Sequence, residues 1–223
     1  RLLRLKDYDT YLADLKEKVK NAEKKLQKSC EKVSDIRKKY AEKLVIAVTE
    51  ALKDLNFLDV RFEIEVTKKD QISADGMDQI RFMISTNPGL PMRPVQEVAS
   101  GGELSRIMLA LKSVAAQADG VDTLIFDEVD SGIGGAVAET VGRLLAQLGE
   151  HQQVLCVTHL PQVASCASQH FKIEKKSTGE GEAPVSNVYP LTDDQRVQEI
   201  ARMLGGLTIT QKTLDHAREM LRR

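Results

Sequence analysis

The sequence predicts an α/β lobe that follows one long helix. Apolar residues recur with a heptad period, without glycine or proline, through the first 55 residues, and amphipathic helical segments later alternate with short apolar strands. Continuous apolar strands that alternate with helices are typical of a parallel sheet covered by helices. We therefore expect a coiled-coil arm over residues 1–55 and an α/β lobe over residues 56–223.

The arm is indicated by apolar residues at alternating steps of three and four, which we call the seam. The seam has one polar interruption and consists of Leu5, Tyr8, Leu12, Leu15, Val19, Ala22, Leu26, Ser29, Val33, Ile36 and Tyr40. Charged residues fill the other faces, so the pattern predicts one helix that ends near Leu55. Because a single helix cannot bury its own apolar stripe, the arm needs a second helix. That helix would come from a partner chain or from an upstream segment, and we interpret the chain as a fragment.

Two strand patterns follow the arm. Apolar and charged residues alternate from Val60 to Val66 and again from Ile80 to Ile84, which predicts an antiparallel pair with one buried face. The segment from Asn87 to Pro94 contains three prolines and one glycine, so we expect a loop there.

The remaining patterns complete the lobe. We expect helices over residues 103–118 and 136–148, strands over 121–126 and 153–158, and a short helix that begins at Pro161. A closing hairpin is indicated over 171–176 and 185–189, with its loop over 177–184. Two final helices are expected, the first ending at Gly205 and Gly206 and the second starting after Thr208 or Thr210.

The composition excludes several classes of protein. No apolar run reaches the roughly 18 residues that a membrane helix needs, and no secretory leader opens the sequence. Cys30, Cys156 and Cys166 form no Cys-x-x-Cys pair, which argues against a disulfide framework or a zinc site. The arm holds 15 Lys and Arg against 10 Asp and Glu, while the lobe holds 17 against 23. We expect a cytoplasmic protein that has no membrane partner.

The first candidate site is a helix start at Ser100, Gly101, Gly102 and Glu103. Ser-x-x-Glu is a capping box, and two glycines in the first turn leave backbone N–H groups open to a ligand. A helix N-terminus of this kind favours anions, and phosphate in particular. An ordinary capped helix is the alternative interpretation.

Two further strands end in polar residues. The apolar strand Thr123–Phe126 leads into Asp127 and Glu128, which would lie where open α/β sheets bind ligands. One of these acids can hold Mg²⁺ and the other can orient an attacking water, although solvated acids at a strand end remain the alternative. The second apolar strand ends at His159, which can donate to a phosphate oxygen or be purely structural.

In this order the three motifs resemble the signature motif, the Walker B strand and the switch histidine of ABC-type ATPase heads. A heptad arm that leads into such a head is similar to the SMC-like branch of these ATPases. The segments Val95–Lys112, Thr123–Gly135 and Val154–Ser165 resemble the RecN family of bacterial DNA repair ATPases, and the likeness spans residues 88–221. The resemblance implies that the lobe is the C-terminal lobe of an ABC-type head.

The resemblance also implies roles for the site residues. Ser100, Gly101, Gly102 and Glu103 would contact the γ-phosphate of an ATP held by an opposing head. Asp127 would serve Mg²⁺, Glu128 the attacking water, Asp130 the contact across the head dimer and His159 the γ-phosphate. The sequence departs from many family members at Ala99, where they have leucine.

A phosphate-binding Gly-x-x-x-x-Gly-Lys-Ser/Thr loop does not occur in the sequence. In RecN-like proteins that loop lies in an N-terminal half, which a returning coiled coil connects to the C-terminal half. We therefore expect three partners: the N-terminal half with its Walker A lobe and ascending helix, a second head, and DNA. We also expect the chain alone to be inactive as an ATPase.

The function that the resemblance implies is ATP hydrolysis coupled to double-strand break repair and recombination, with the protein near the nucleoid. Ten Lys and Arg against four acids over residues 16–39 offer a surface for DNA phosphates, although an ordinary solvated coiled-coil face has the same composition. Two alternatives stay open: another SMC-like family, or a non-catalytic coiled-coil adaptor with vestigial nucleotide motifs.

Overall fold

The computed structural model describes residues 2–98, 100–115, 120–176, 185–206 and 208–222, with side chains given for all of these except 2–7 and 176. The helices are α1 Leu2–Asp54, α2 Gly101–Ala115, α3 Gly135–Gly149, α4 Pro161–Ala164, α5 Asp193–Gly205 and α6 Gln211–Leu221. The strands are β1 Arg61–Ser73, β2 Gly76–Ser85, β3 Arg93–Pro94, β4 Thr123–Phe126, β5 Gln153–Cys156, β6 Phe171–Lys176 and β7 Val185–Pro190. A single 3₁₀ turn covers Val95–Glu97.

The arm is one continuous helix, as the heptad pattern predicts. Its seam is open to solvent: Val19 is 55% exposed, Leu26 50% and Ile36 57%. The last turns of α1 are different, because Val48 and Leu52 are completely buried in the core of the lobe. The boundary between arm and lobe at residue 55 stays a prediction, and the core extends several turns up the helix.

Strands β1 and β2 form a long antiparallel hairpin that contacts α1 at Ser34 and Arg37. Phe62 pairs with Ile84 and Ile64 with Phe82, which confirms the predicted strand pair. The hairpin extends as far as Ser73, seven residues beyond the alternating pattern. It also gains a two-residue third strand, β3, at the end of the segment that the sequence analysis assigned to a loop. Proline is tolerated there because β3 lies at the edge of the sheet.

The core of the lobe lies between α2, α3 and a two-stranded parallel sheet. Strands β4 and β5 pair in register, so that Leu124 and Phe126 pack under the helices. The opposite face of this sheet is uncovered: Ile125 is 71% exposed, and Leu155 and Val157 are also exposed. A parallel sheet is normally covered on both faces, so this face lacks its second layer.

The C-terminal part consists of the hairpin β6–β7 and two short helices. Its small core contains Ile200, Ala201 and Ala217, all of them fully buried. Both helices begin at threonine capping boxes, Thr192 for α5 and Thr210 for α6. Two predicted segments, residues 116–118 of the helix and the hairpin loop 177–184, lie outside the described residues. Within the described ranges no helix is long and apolar enough to cross a membrane.

Candidate active site

The first turn of α2 forms one wall of the candidate site. The Glu103 N–H donates to Ser100 Oγ at 3.4 Å, and the Leu104 N–H donates to the Ser100 carbonyl at 2.9 Å. Ser100 therefore begins the helix as the capping pattern predicts. Its neighbour Ala99 lies outside the described residues.

The two glycines of this turn allow a close approach by the loop that follows β4. A Cβ added at Gly102 would lie 2.8 Å from Ser131 Cβ and 3.1 Å from the Glu128 carbonyl oxygen. A Cβ added at Gly101 would lie 2.5 Å from Glu128 Oε2. Because backbone atoms of the loop lie this close to Gly102, a side chain there would displace the loop, whereas at Gly101 the Glu128 carboxylate alone would have to move.

The loop after β4 carries the two carboxylates. Ser105 Oγ donates to the Asp127 carbonyl at 2.7 Å, which ties the loop to the second turn of α2. Glu128 has a φ of +57°, a left-handed conformation that is uncommon for glutamate. Its carboxylate lies at the N-terminus of α2, where the helix dipole favours a negative charge. Asp127 and Glu128 are both exposed and form no ion pair with the residues that the structure describes.

Asp130 connects this loop to the turn after β5. Its carboxylate is only 1% exposed, and Oδ2 accepts hydrogen bonds from the Thr158 hydroxyl at 2.5 Å, the His159 N–H at 2.9 Å and the Leu160 N–H at 3.2 Å. His159 Nδ1 lies 3.2 Å from the same oxygen. Burial alone would raise the pKa of Asp130, but these hydrogen bonds and the nearby His159 outweigh it and lower the pKa.

These hydrogen bonds fix the backbone of residues 158–160, the turn after β5, and leave the side chain of His159 72% exposed. Asp130 thus has a structural role within the chain, and its contact with a second head stays a prediction. The sequence analysis missed Thr158 and Ser105. Thr158 is a hydroxyl just after an apolar strand and Ser105 a hydroxyl in the second turn of a helix, and both patterns are too common to be specific.

Cys156 lies next to this turn, at the end of β5. Burial raises the pKa of Cys156 to about 12, and the negative charges of Asp130 and Asp127 add to the effect. The thiol is therefore protonated at neutral pH, which disfavours nucleophilic or metal-binding roles. Within the described residues, no three His, Cys, Asp or Glu side chains cluster in a way that would hold a metal ion by themselves.

The structure brings the predicted site residues to one edge of the β4–β5 sheet. The start of α2 touches Glu128, and Asp130 joins the same loop to His159. Two contacts therefore connect three motifs that are separated by up to 59 residues in the sequence. A helix start, an exposed acidic loop and an exposed imidazole thus lie at one edge of the sheet, and anion binding there stays a prediction.

The sequence is similar to those of several DNA repair proteins. The chain is 44% identical to the DNA repair protein RecN of Vibrio cholerae over 194 residues, which cover 86% of the chain and 35% of that protein. It is 36% identical to RecN of Bacillus subtilis over 98% of the chain and 40% of that protein. With RecN of Deinococcus radiodurans the identity is 43% over 83% of the chain and 32% of that protein. No family model matches the chain.

Solved structures support the fold. An Smc head domain with a coiled coil and joint from Pyrococcus yayanosii superposes with a TM-score of 0.61 at 18% identity, over 89% of the chain and 35% of that structure. The Pyrococcus furiosus Smc head with an extended coiled coil, bound to the C-terminal domain of ScpA, gives 0.58 at 17% identity, over 91% and 47%. The predicted fold, an α/β lobe of an ABC-type head preceded by a long helix, is confirmed.

The extent of the match defines what the chain represents. The chain spans between 32% and 40% of the length of these RecN relatives, whereas the alignments cover most of the chain itself. The chain belongs to the RecN family of DNA repair proteins.

Proposed function

We propose that this chain forms the C-terminal half of an SMC-like ATPase head, in which ATP-driven head dimerisation is coupled to DNA binding during double-strand break repair and recombination. The observation that carries the proposal is the convergence at one sheet edge of the α2 start, the Asp127–Glu128 loop and the His159 turn. The relatives are DNA repair proteins by name, which supports the cellular role.

The chemistry of this edge suits transfer of the γ-phosphoryl group to water. The backbone N–H groups and the positive end of α2 at Ser100, Gly101 and Gly102 bind the phosphate of a nucleotide presented by an opposing head. The exposed Glu128 carboxylate orients the attacking water and accepts its proton. His159 donates to a phosphate oxygen as negative charge develops there.

The residues present fit Mg²⁺ as the metal of the site. Asp127 offers an exposed carboxylate at the end of a buried strand, and hard oxygen ligands are those that Mg²⁺ prefers. Because Mg²⁺ commonly takes only one or two carboxylates together with phosphate and water, one protein ligand here is sufficient. When bound, the ion neutralises charge on the phosphate oxygens.

The N-terminal half of the same protein is the first partner. It would supply the phosphate-binding loop that this sequence lacks and would cover the exposed face formed by Ile125, Leu155 and Val157. Its ascending helix would cover the seam of α1, where seven large apolar side chains are exposed among those that the structure describes. These are Tyr8, Leu15, Val19, Leu26, Val33, Ile36 and Tyr40, and Tyr11 beside the seam is exposed as well.

A second head and DNA are the other partners. Ser100 and Gly101 are exposed on the outer surface of the α2 start, where a nucleotide on an opposing head can reach them. The lysines of the arm supply positive charge for the phosphate backbone of DNA. These activities belong to a bacterial protein that works in the cytoplasm in association with the nucleoid.

The experiment compares the purified chain with the chain co-expressed with its N-terminal half. Phosphate release should be at background for the chain alone, because the strongest phosphate contacts belong to the missing loop. It should appear on reconstitution and disappear again with Glu128→Gln as the matched control. Turnover by the chain alone would contradict the split-head proposal. Absence of turnover in the complete protein would favour the non-catalytic adaptor.

A further inference from the structure

A buried arginine lies one and a half turns into the signature helix. Arg106 is only 8% exposed, yet it forms no ion pair with a carboxylate among the residues that the structure describes. Burial lowers the pKa of its guanidinium, and the negative charge of Glu103 only partly opposes this effect. Its Nε has no hydrogen-bond partner within the described part of the chain. A buried guanidinium without a carboxylate partner loses solvation, so its other contacts must offset that cost.

The guanidinium holds the acidic loop from inside. Arg106 Nη1 donates to the Ser131 carbonyl at 2.7 Å and lies 3.4 Å from the Val129 carbonyl. These two residues flank Asp130, whose carboxylate anchors the His159 turn. The other side of the same loop rests on Gly102, so α2 grips residues 128–131 at two points. Movement of Arg106 would therefore shift both Glu128 and His159.

The other face of the guanidinium touches the base of the arm. The Arg106 Cζ lies 5.5 Å from the centre of the Phe57 ring, within the range of a cation–π contact. Phe57 is rigidly attached to α1, because its N–H donates to the Leu52 carbonyl at 3.1 Å across a left-handed residue, Asn56. Phe57 and Leu52 are both buried.

We propose that Arg106 is a positioning residue that couples the base of the arm to the catalytic loop, through Phe57 on one side and the carbonyls of Val129 and Ser131 on the other. The inference rests on the proposed ATPase function and adds a route by which the orientation of the arm sets the positions of Glu128 and His159. Lysine is a poor substitute at such a position, since only a planar guanidinium combines ring stacking with directed in-plane donors.

The test uses the full-length protein that contains both halves of the head. Arg106→Met removes the charge and the donors at similar length, Arg106→Lys keeps the charge and one donor, and Phe57→Leu removes the ring but keeps an apolar side chain. Arg143→Met, at an exposed arginine of α3, is the matched control. Amide hydrogen exchange is measured without nucleotide, and steady-state ATP turnover is measured separately.

Exchange should rise selectively in residues 128–131 and 158–160 of Arg106→Met, with a smaller rise in Phe57→Leu and none in the control. The kcat should fall by about 10- to 100-fold, as expected when catalytic groups are misplaced by an ångström or less, while the KM for ATP changes little. Arg106→Lys should recover part of the kcat. The double variant of Arg106→Met and Phe57→Leu should be no worse than Arg106→Met, because the two residues act along one route.

The two readouts separate the failure of this proposal from the failure of the proposed function. If the wild-type protein does not hydrolyse ATP, the function is wrong, and hydrogen exchange alone decides the role of Arg106. Unchanged exchange in residues 128–131 would overturn the coupling. A uniform rise across the lobe, including the β1–β2 hairpin, would overturn it too, because that result describes a purely structural residue. If Arg106→Met does not fold, Arg106→Lys and Phe57→Leu give the same decision.

Discussion

The candidate site and the arm differ in how far their side chains find partners within the chain. At the candidate site the buried carboxylate of Asp130 is satisfied within the chain, because it accepts three hydrogen bonds while the residue is 1% exposed. Along the seam of α1 the side chains of Val19 and Ile36 are more than half exposed. The chain therefore forms the loops of the candidate site by itself, whereas apolar surfaces of its arm and sheet stay exposed.

Substitutions of the two adjacent carboxylates, Asp127 and Glu128, test the roles proposed for them in ATP hydrolysis. In the reconstituted protein Glu128→Gln keeps the size of the side chain but removes the base, so turnover should fall by about 10² to 10⁴ while nucleotide still binds. ATP-held head dimers should accumulate, because the α2 start is unchanged. Asp127→Asn should weaken binding of Mg²⁺ and nucleotide, and no trapped dimer should form.

Size-exclusion chromatography with ATP and Mg²⁺, together with a phosphate-release assay, distinguishes these outcomes. Asp122→Asn, an exposed acid just before β4, is a matched control that should behave as wild type in both assays. If Asp127→Asn traps the dimer and Glu128→Gln abolishes nucleotide binding, the two roles are reversed.

The features that the sequence predicts are those set by local periodicity. The heptads of α1 and the alternation from Val60 to Val66 depend on neighbouring residues only, so the arm and the hairpin were predicted correctly. The motifs gave the site residues but not their orientation: Asp130 turns inward because three donors from a turn 28 to 30 residues away meet its carboxylate. The contact between Ser34 and Asp78 spans 44 residues and leaves no periodic signal.

The β1–β2 hairpin packs against α1 near Ser34 and Arg37, and Asp78 tests this attachment. Asp78 is 3% exposed and accepts from Ser34 Oγ at 2.8 Å and Arg37 Nη1 at 3.0 Å. Burial would raise the pKa of this carboxyl, but the two donors lower it. Asp78→Ala should reduce the free energy of unfolding by about 2 kcal/mol, less than for a fully buried pair because Arg37 is partly exposed.

Urea unfolding of the full-length protein measures this loss, and hydrogen exchange locates it. The matched control is Asp70→Ala, at an exposed position on β1 of the same hairpin, which should leave both measurements unchanged. Faster exchange should be confined to β1, β2 and the part of α1 near Cys30, a residue that is 5% exposed on an otherwise solvated stretch. Equal losses in the two variants would show that the hairpin does not brace the arm.

Asp130 gives the catalytic edge a dependence on pH. Because its pKa is lowered in the folded protein, its stabilising contribution is fully present above the unfolded value of about 4 and is lost as the pH falls through the folded value. Asp130→Asn should cost about 1 kcal/mol at pH 7, and the difference from wild type should shrink below pH 4. Unfolding curves at pH 7, 5 and 3 check the sign, and a difference that grows in acid would contradict it.

Substitution of lysines on α1 between residues 24 and 39 is expected to have the smallest effect, a change in DNA binding. Lys24, Lys25, Lys28, Lys32 and Lys39 are all exposed. At about 100° per residue Lys25, Lys28, Lys32 and Lys39 lie on the side of α1 that faces away from Cys30 and Ser34, and Lys24 lies between that side and the hairpin. They also lie beside the seam rather than in it, so a second helix on the seam leaves them accessible to the phosphate backbone.

Changing Lys24, Lys25 and Lys28 to glutamine tests this surface in the full-length protein. If each lysine neutralises one phosphate, the slope of log affinity against log salt should become shallower by about 0.9 per lysine. The matched control changes three exposed lysines elsewhere, Lys68, Lys175 and Lys212, and should keep the wild-type slope. If both triple variants keep that slope, DNA does not contact this face of the arm. The exposed seam is then the surface of this part of α1 that remains for binding, and the partner that fits it is a second helix.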